Sequence, residues 1–428
     1  MILRDAVHGL VAFESEEDAI VVSLLETKEV QRLRRIRQLG LTSLAFPGAE
    51  HTRFSHALGA AHVMQRFVAR LRRIDGELPF WQRVTSERAR DVVAAALLHD
   101  VGHGPLSHLF EDAMPGGERH ETWTTRILLD ESTELNAALR RDDAGLPRRV
   151  ADLVMGRHEI PYLANLVSGT FDADRCDYLL RDAHATGVTY GSYDLDWLLR
   201  SLRFEPTSRS AVAPGLAIDG MKGITAIESF LLARLFMFQQ VYFHKSTRAA
   251  EAMVRSILRR AVALVAAGER LPARVPALEA AAVSRTPTLA EYLELDDGVL
   301  LGAIHAWEDA RDPVLSDLSK RLRARALFKT IELGGVESEI DPDEALRRAS
   351  EIATARGLDP ISYVTLDRAG DTPYPESADL SVIFPDGRSR DLADVSFLLG
   401  RLKGQRLSRT RLIFAAELRD DVRRALEQ

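Results

Sequence analysis

The segment Val92–His108, VVAAALLHDVGHGPLSH, restricts the fold most. It runs seven consecutive apolar residues into a His-Asp pair, then into a stretch broken by Gly102, Gly104 and Pro105. A helix that is apolar on every side belongs in a protein interior. His99 and Asp100 are therefore expected at a buried helix end. Imidazole nitrogen beside carboxylate oxygen suits a divalent iron, manganese, zinc or nickel ion. The glycines and proline end the helix and allow His103 and His108 to turn back toward the same cavity. A blander reading has His99 complementing the helix dipole and Asp100 starting a turn. Crowding argues against it, because seven of the 12 histidines lie between His51 and His120.

Companions lie on either side of this segment. Upstream, HTRFSH offers Arg53 and His56, with His56 able to supply a third ligand. Downstream, FDADRCDYLLRD offers Asp172, Asp174, Asp177 and Asp182, one of which can complete the coordination sphere. Apolar spacing predicts helices over Glu29–Gln38 (stopped by Gly40), Ser55–Ile74 and Ser86–His99, the last with Ser86 as N-cap. A β-hairpin is expected at 201–220, a long helix with a kink from about Ile224 to Ala267, and more helix over Leu289–Leu333. The texture then changes. ISYVTLDR, LSVIFPDG and TRLIFAAEL resemble strands, and LRDDVRRALE a final helix. The expected architecture is mainly α: a helical core over 1–340 with an inserted β-hairpin, and a small α+β appendage over 341–428.

Composition removes several function classes. Hydrophobic residues are 46% and charged residues 28%, which excludes a disordered chain. Cys176 is the sole cysteine, so an intramolecular disulfide and a multi-cysteine metal site are excluded and a reducing compartment is expected. The start, MILRDAVHGL, is charged early and has no signal-like apolar run, and Val92–Leu98 is too short to span a bilayer. A cytoplasmic protein without a membrane partner is expected. A net charge of -7 gives no global nucleic-acid footprint, so nucleic acid is not the favoured partner.

Taken in order, DAVHG, HTRFSH, LLHDVGHGPLSH, RHE, DADRCDYLLRD and ARLFMFQQVYFHK resemble the HD-domain phosphohydrolases of the dNTP triphosphohydrolase branch. The resemblance implies an HD-domain helical core and one divalent metal (iron, manganese, zinc, nickel or magnesium) on His56, His99, Asp100 and Asp174. A further magnesium would accompany the substrate phosphates. Asp174 is preferred to Asp172 because the family's ligand stands just before a basic residue, here Arg175. The resemblance gives Arg53, Arg175, Arg234 and Lys245 the phosphate charge, and His108 the role of general acid with His120 and Glu111 beside it. A mammalian relative has lysine at the place of Arg175 and aspartate at that of Glu111. His103 falls near the metal and the α-phosphate. Tyr178, Asp182 and Gln38 match residues near the sugar, and Tyr242 lies beside the nucleoside. Glu26, Gln31 and Arg34 match, loosely, an allosteric nucleotide site at a subunit contact. The implied substrates are dNTPs, the implied assembly is a dimer or tetramer, and activation by a nucleotide is left open.

Two rivals remain at this point. An HD-type phosphatase or phosphodiesterase would use the same metal ligands on another nucleotide. A catalytically silent nucleotide-binding regulator would have kept the fold alone.

Overall fold

The computed structural model describes residues 1–114, 117–205, 215–333, 340–375 and 380–427. The expected mainly helical architecture is present, with small sheets at its margins. Two long helices, Arg53–Leu71 and Ser86–Leu98, pack side by side at its centre. Ala57, Gly59, Ala60 and Ala61 on the first and Ala94, Ala95 and Ala96 on the second are all buried. Small side chains let helices approach closely. That approach sets His56 opposite His99.

Several boundaries differ from expectation. Thr85, not Ser86, caps the second helix: its hydroxyl accepts from Arg88 N at 3.3 Å. The helix expected over 29–38 is helical only over Lys28–Arg32, tightens into a 3-10 turn at Leu33–Arg35, and becomes extended at Ile36. There the chain leaves the helix to pair with 51–53: Arg53 N donates to Ile36 O and Gln38 N to His51 O. Gly40 at φ +50 then turns it away.

The helix expected from 224 to 267 is broken. Ile224–Met237 runs into a π-turn, Phe238–Tyr242, and a new helix begins at Lys245 and ends at Ala266. Ile224–Tyr242 is long and apolar enough to cross a membrane by length and composition alone. Here Ile227, Phe230, Leu231 and Met237 pack into the core.

The region 289–333 is helical over Leu289–Leu293, Asp297–Ala306 and Pro313–Arg323, but its end, Lys329–Leu333, is a strand. In chain order the strands are β1 (Ile2–Asp5), β2 (Gly9–Ala12), β3 (Leu202–Phe204), β4 (Leu216–Asp219), β5 (Lys329–Leu333), β6 (Val364–Asp371), β7 (Ser381–Ile383), β8 (Ser389–Asp391) and β9 (Leu407–Phe414). β1 and β2 form an N-terminal hairpin, and β3 and β4 form the expected one, whose connection at 206–214 lies outside the described residues. Both remaining sheets draw strands from either side of residue 340: the order β3-β4-β7-β8 includes a parallel β4–β7 pair, and β5 pairs with β9 beside β6. The α+β texture thus starts before 341, because β5 completes the sheet that covers the Lys245–Ala266 helix.

Candidate metal centre and active site

His56 and His99 bring their Nε2 atoms to 3.3 Å of each other. Asp174 Oδ1 lies 3.1 Å from the first and 3.4 Å from the second. Asp100 Oδ1 is 3.4 Å from His99 Nε2, and its Oδ2 is 3.7 Å from His56 Nε2. All four expected ligands therefore meet. The outer nitrogen of each ring is occupied: His99 Nδ1 donates to Ala96 O at 2.8 Å, and His56 Nδ1 to Asp177 Oδ2 at 2.8 Å. A carbonyl and a carboxylate only accept, so each Nδ1 carries a proton and each Nε2 faces the cluster. Burial opposes charge on His56, but Asp174 and Asp177 outweigh it and push its imidazole up to about 10. The carboxylates call for positive charge at this point, and the two-imidazole, two-carboxylate donor set fits a divalent cation.

Glycines make this geometry. Gly59 stands one turn after His56, where a Cβ would fall 1.8 Å from Asp177 Oδ1 and 2.3 Å from Arg181 Nη2. A Cβ on Gly102 would lie 2.3 Å from His120 O and from Thr124 N, so the His-Asp turn touches the backbone of the His120–Leu129 helix.

That contact assembles a second cluster. The His103 and His120 rings stack at 3.7 Å. Glu111 Oε1 lies 3.6 Å from His103 Nδ1 and 3.3 Å from His120 Nδ1, and Oε2 lies 3.6 Å from His108 Nδ1. Burial works against ionising Glu111, but the imidazoles of His108, His120 and His103 close around it and hold its carboxyl far below the usual range. His103 is buried, which together with Arg53 holds its imidazole well below the ordinary histidine value. His108 is the exposed member, with 58% of its side chain accessible.

A cavity of about 560 Å³ joins the two clusters. Gln38, Arg53, Asp100, His103, His108, His120, Asp174, Arg175, Tyr178, Asp182 and Tyr242 line it, so most of the expected site is brought together. Arg53 is ion-paired with Asp100 and donates to Ser107 Oγ at 2.7 Å. Arg175 is ion-paired with Asp172, leaving its buried Nε without a partner. Gln38 Oε1 is likewise buried and unpartnered. Both oxygens of Asp182 are engaged, one by Tyr242 Oη and one by His51 Nε2, each at 2.8 Å.

Two expected phosphate ligands do not line this cavity, although Arg234 packs over the ring of Phe238, which does. Arg234 is buried and donates to Asp371 Oδ2 at 3.0 Å and to Pro373 O at 3.2 Å. Lys245 faces a separate groove with Arg325, Lys329, Arg419 and Arg423. Lys245 follows the π-turn, whose wider winding and the break after it change the direction of the next helix, whereas Arg234, in the regular helix before it, is held by Asp371 and Pro373. Glu26 and Arg34 are exposed and away from the cavity; Arg34 Nε donates to Gln31 Oε1 at 2.8 Å.

Several residues were not singled out by the sequence. Leu106 and Ser107 both have positive φ, 55° and 60°, a costly pair for non-glycine residues. Asp297 pins this loop, accepting from Leu106 N at 2.8 Å and Arg37 N at 3.0 Å. Arg248 and Arg255 also line the cavity, and Arg248 is held by Asp367 and Glu251. A lone aspartate or arginine more than a hundred residues from the motif carries no local signal. Asp177 did, through the DRCDY segment, but its three acidic neighbours masked its role.

Residues 53–182 match the HD domain family model, and residues 194–428 match the HD associated region model. An uncharacterized protein of Bacillus subtilis, YwfO, is 35% identical over 428 residues, covering 97% of this chain and 92% of that one. The deoxynucleoside triphosphate triphosphohydrolase SAMHD1 homolog of Dictyostelium discoideum is 31% identical over 200 residues, 44% of this chain and 36% of that protein. A phosphohydrolase crystal structure from Bacteroides thetaiotaomicron superposes with a TM-score of 0.81 at 30% identity, covering 97% of this chain and 99% of that one.

Proposed function

The chain belongs to the HD-domain phosphohydrolase family, and from that premise we propose that it is a metal-dependent dNTP triphosphohydrolase, converting dNTP and water to deoxynucleoside and triphosphate. One observation carries the reading: a single cavity is lined by two of the ligand residues, Asp100 and Asp174, together with Arg53, Arg175, Gln38, Tyr178, Tyr242 and the exposed His108. Such a lining, cationic and carboxylate groups beside an amide and two aromatic rings, suits a ligand that carries both phosphate and a nucleoside. The named relatives of the triphosphohydrolase type support the same substrate class.

His56, His99, Asp100 and Asp174 would hold the cation. When bound there, a divalent cation lowers the pKa of water and polarises a phosphoryl oxygen. Arg53 and Arg175 supply fixed positive charge to the phosphates, and the free Nε of Arg175 gives it a donor not consumed by Asp172. His108 hands a proton from its ring to the leaving 5′-oxygen, and Glu111 Oε2, 3.6 Å from its Nδ1, stands beside the ring. Gln38 Oε1 accepts from a sugar hydroxyl. Tyr178 and Tyr242 wall the nucleoside, with Asp182 fixing Tyr242. The reading also takes in a homo-oligomeric assembly.

A second reading draws on one observation. With Arg234 ion-paired to Asp371 and Lys245 on a separate groove, fewer cations remain for a long polyphosphate, which favours a phosphatase or phosphodiesterase. A product assay separates these readings. Metal-loaded protein is incubated with each of the four dNTPs, with and without GTP, and the phosphate product is identified. Triphosphate supports the proposal, orthophosphate supports a phosphatase, and no turnover supports a regulator.

A further inference from the structure

The carboxylate that orients His56 is itself oriented by the N-terminal hairpin. Asp177 is fully buried, and four hydrogen bonds fill its two oxygens. Oδ1 accepts from His8 Nε2 at 2.7 Å and Arg181 Nη2 at 2.8 Å. Oδ2 accepts from His56 Nδ1 and Arg181 Nε, each at 2.8 Å. His8 stands in the turn between β1 and β2, at a sequence distance of 169 residues from Asp177. The turn is built to present it. Asp5 Oδ1 accepts from Val7 N and His8 N, both at 2.9 Å, and Gly9 at φ +73 closes the loop. Asp5 Oδ2 also accepts from Arg181 Nη1 at 2.8 Å, so one turn grips both residues of the 177/181 pair.

We infer that His8 is a positioning residue of the metal centre: through Asp177 it fixes the ring of His56, so the N-terminal hairpin is part of the metal-binding unit. The inference rests on the metal site proposed above. An imidazole bonded through one nitrogen takes its orientation from the partner of the other, and such outer partners strengthen metal binding. Without His8, one lone-pair position of a buried carboxylate has no donor. Asp177 can then regain a partner only by rotating, and rotation moves the acceptor that aims His56. Apolar packing of the turn cannot replace the link, since the neighbouring Leu10 is 55% exposed.

The test is Mn²⁺ binding by the full-length protein without substrate, with free ion counted by electron paramagnetic resonance. His8→Ala is expected to weaken Mn²⁺ affinity by about 10–100-fold, the usual effect of losing an outer partner of a metal-bound histidine. His8→Gln places an amide donor near the position of Nε2 and should recover most of the affinity. Leu10→Ala, on the same hairpin, should bind as wild type. If His8→Ala fails to give a native circular dichroism spectrum, His8→Asn, too short to reach Asp177, replaces it. Wild-type affinity in His8→Ala overturns the inference, and so does equal weakening in Leu10→Ala. Wild-type protein that binds no Mn²⁺ overturns the metal centre itself.

Discussion

Gly102→Ala adds one methyl group and should cost most of the activity. Gly102 does not adopt a positive φ, so alanine takes its backbone without torsional strain and the effect is steric alone. The new Cβ would meet His120 O and Thr124 N at 2.3 Å and Thr124 Oγ1 at 2.5 Å. Two of these three atoms are backbone and cannot rotate aside. Ordinary contact therefore requires the turn and the His120–Leu129 helix to separate by about 1 Å, an overpacking that costs ~1–3 kcal/mol. His120 is the first residue of that helix and stacks on His103, so the separation is passed directly to the ring. A displacement of about 1 Å in a catalytic group can lower turnover on the order of 10²-fold. Gly104 is the internal comparison, because its added Cβ would come no closer than 3.1 Å to the side-chain oxygen of Tyr292. Gly104→Ala should therefore lose much less. The assay is kcat on dNTP with metal content and thermal midpoint measured on the same preparations. Wild-type kcat and midpoint in Gly102→Ala would refute the claim that this backbone contact sets the second cluster.

Other expectations separate the roles of neighbouring groups. Asp100→Ala should lose metal and turnover together while staying largely helical; retained metal on elemental analysis contradicts the assigned centre. His108→Ala should keep its metal and lose roughly 10²–10⁴-fold in kcat, the usual worth of a positioned general acid; loss of metal as well would make it a ligand. Arg175 and Lys245 face different cavities, so the energetic effects of Arg175→Ala and Lys245→Ala on kcat/KM should add in the double variant. Strong coupling would return Lys245 to the same substrate. Burial, then the charges of His8 and Arg66, pushes the His62 imidazole down to about 4. The unfolded value is about 6.5. The unfolded chain thus binds a proton in this window that the fold refuses, and stability present above the unfolded value is lost as pH falls toward the folded one. His62→Gln should flatten the pH dependence of the urea midpoint there; an unchanged slope counts against it.

The metal ligands were legible because their chemistry is local. His99 and Asp100 end an apolar run, and His56 begins a helix rich in small residues. β6, β7 and β9 showed in their β-branched patterning, while β8, the short polar SRD, was not expected. Lys329–Leu333 did not, because KTIEL is short and follows a helix-spaced stretch; its partner β9 decides its conformation. The placement of Lys245 follows a π-turn, and one extra residue in a helical turn has no compositional mark; that of Arg234 depends on Asp371, 137 residues along the chain. Asp297 and His8 act through contacts with residues far along the chain, which no periodicity in either segment records.

The parallel pairing of β4 with β7 also sets an order of events during synthesis. β4 ends at Asp219 and β7 begins at Ser381, so one edge of β4 has no partner until the later strand has emerged. At ~5–20 residues per second, a ribosome takes roughly 8–30 s to cover that interval. An open strand edge is a template for another chain, and neighbouring ribosomes on one message present the same edge. Stalled nascent chains ending before Ser381 should therefore aggregate more readily than chains extended past Asp391, as sedimentation of ribosome-released products would read directly. The helical part of this molecule can gather early, but its small sheet is closed from the far end of the message.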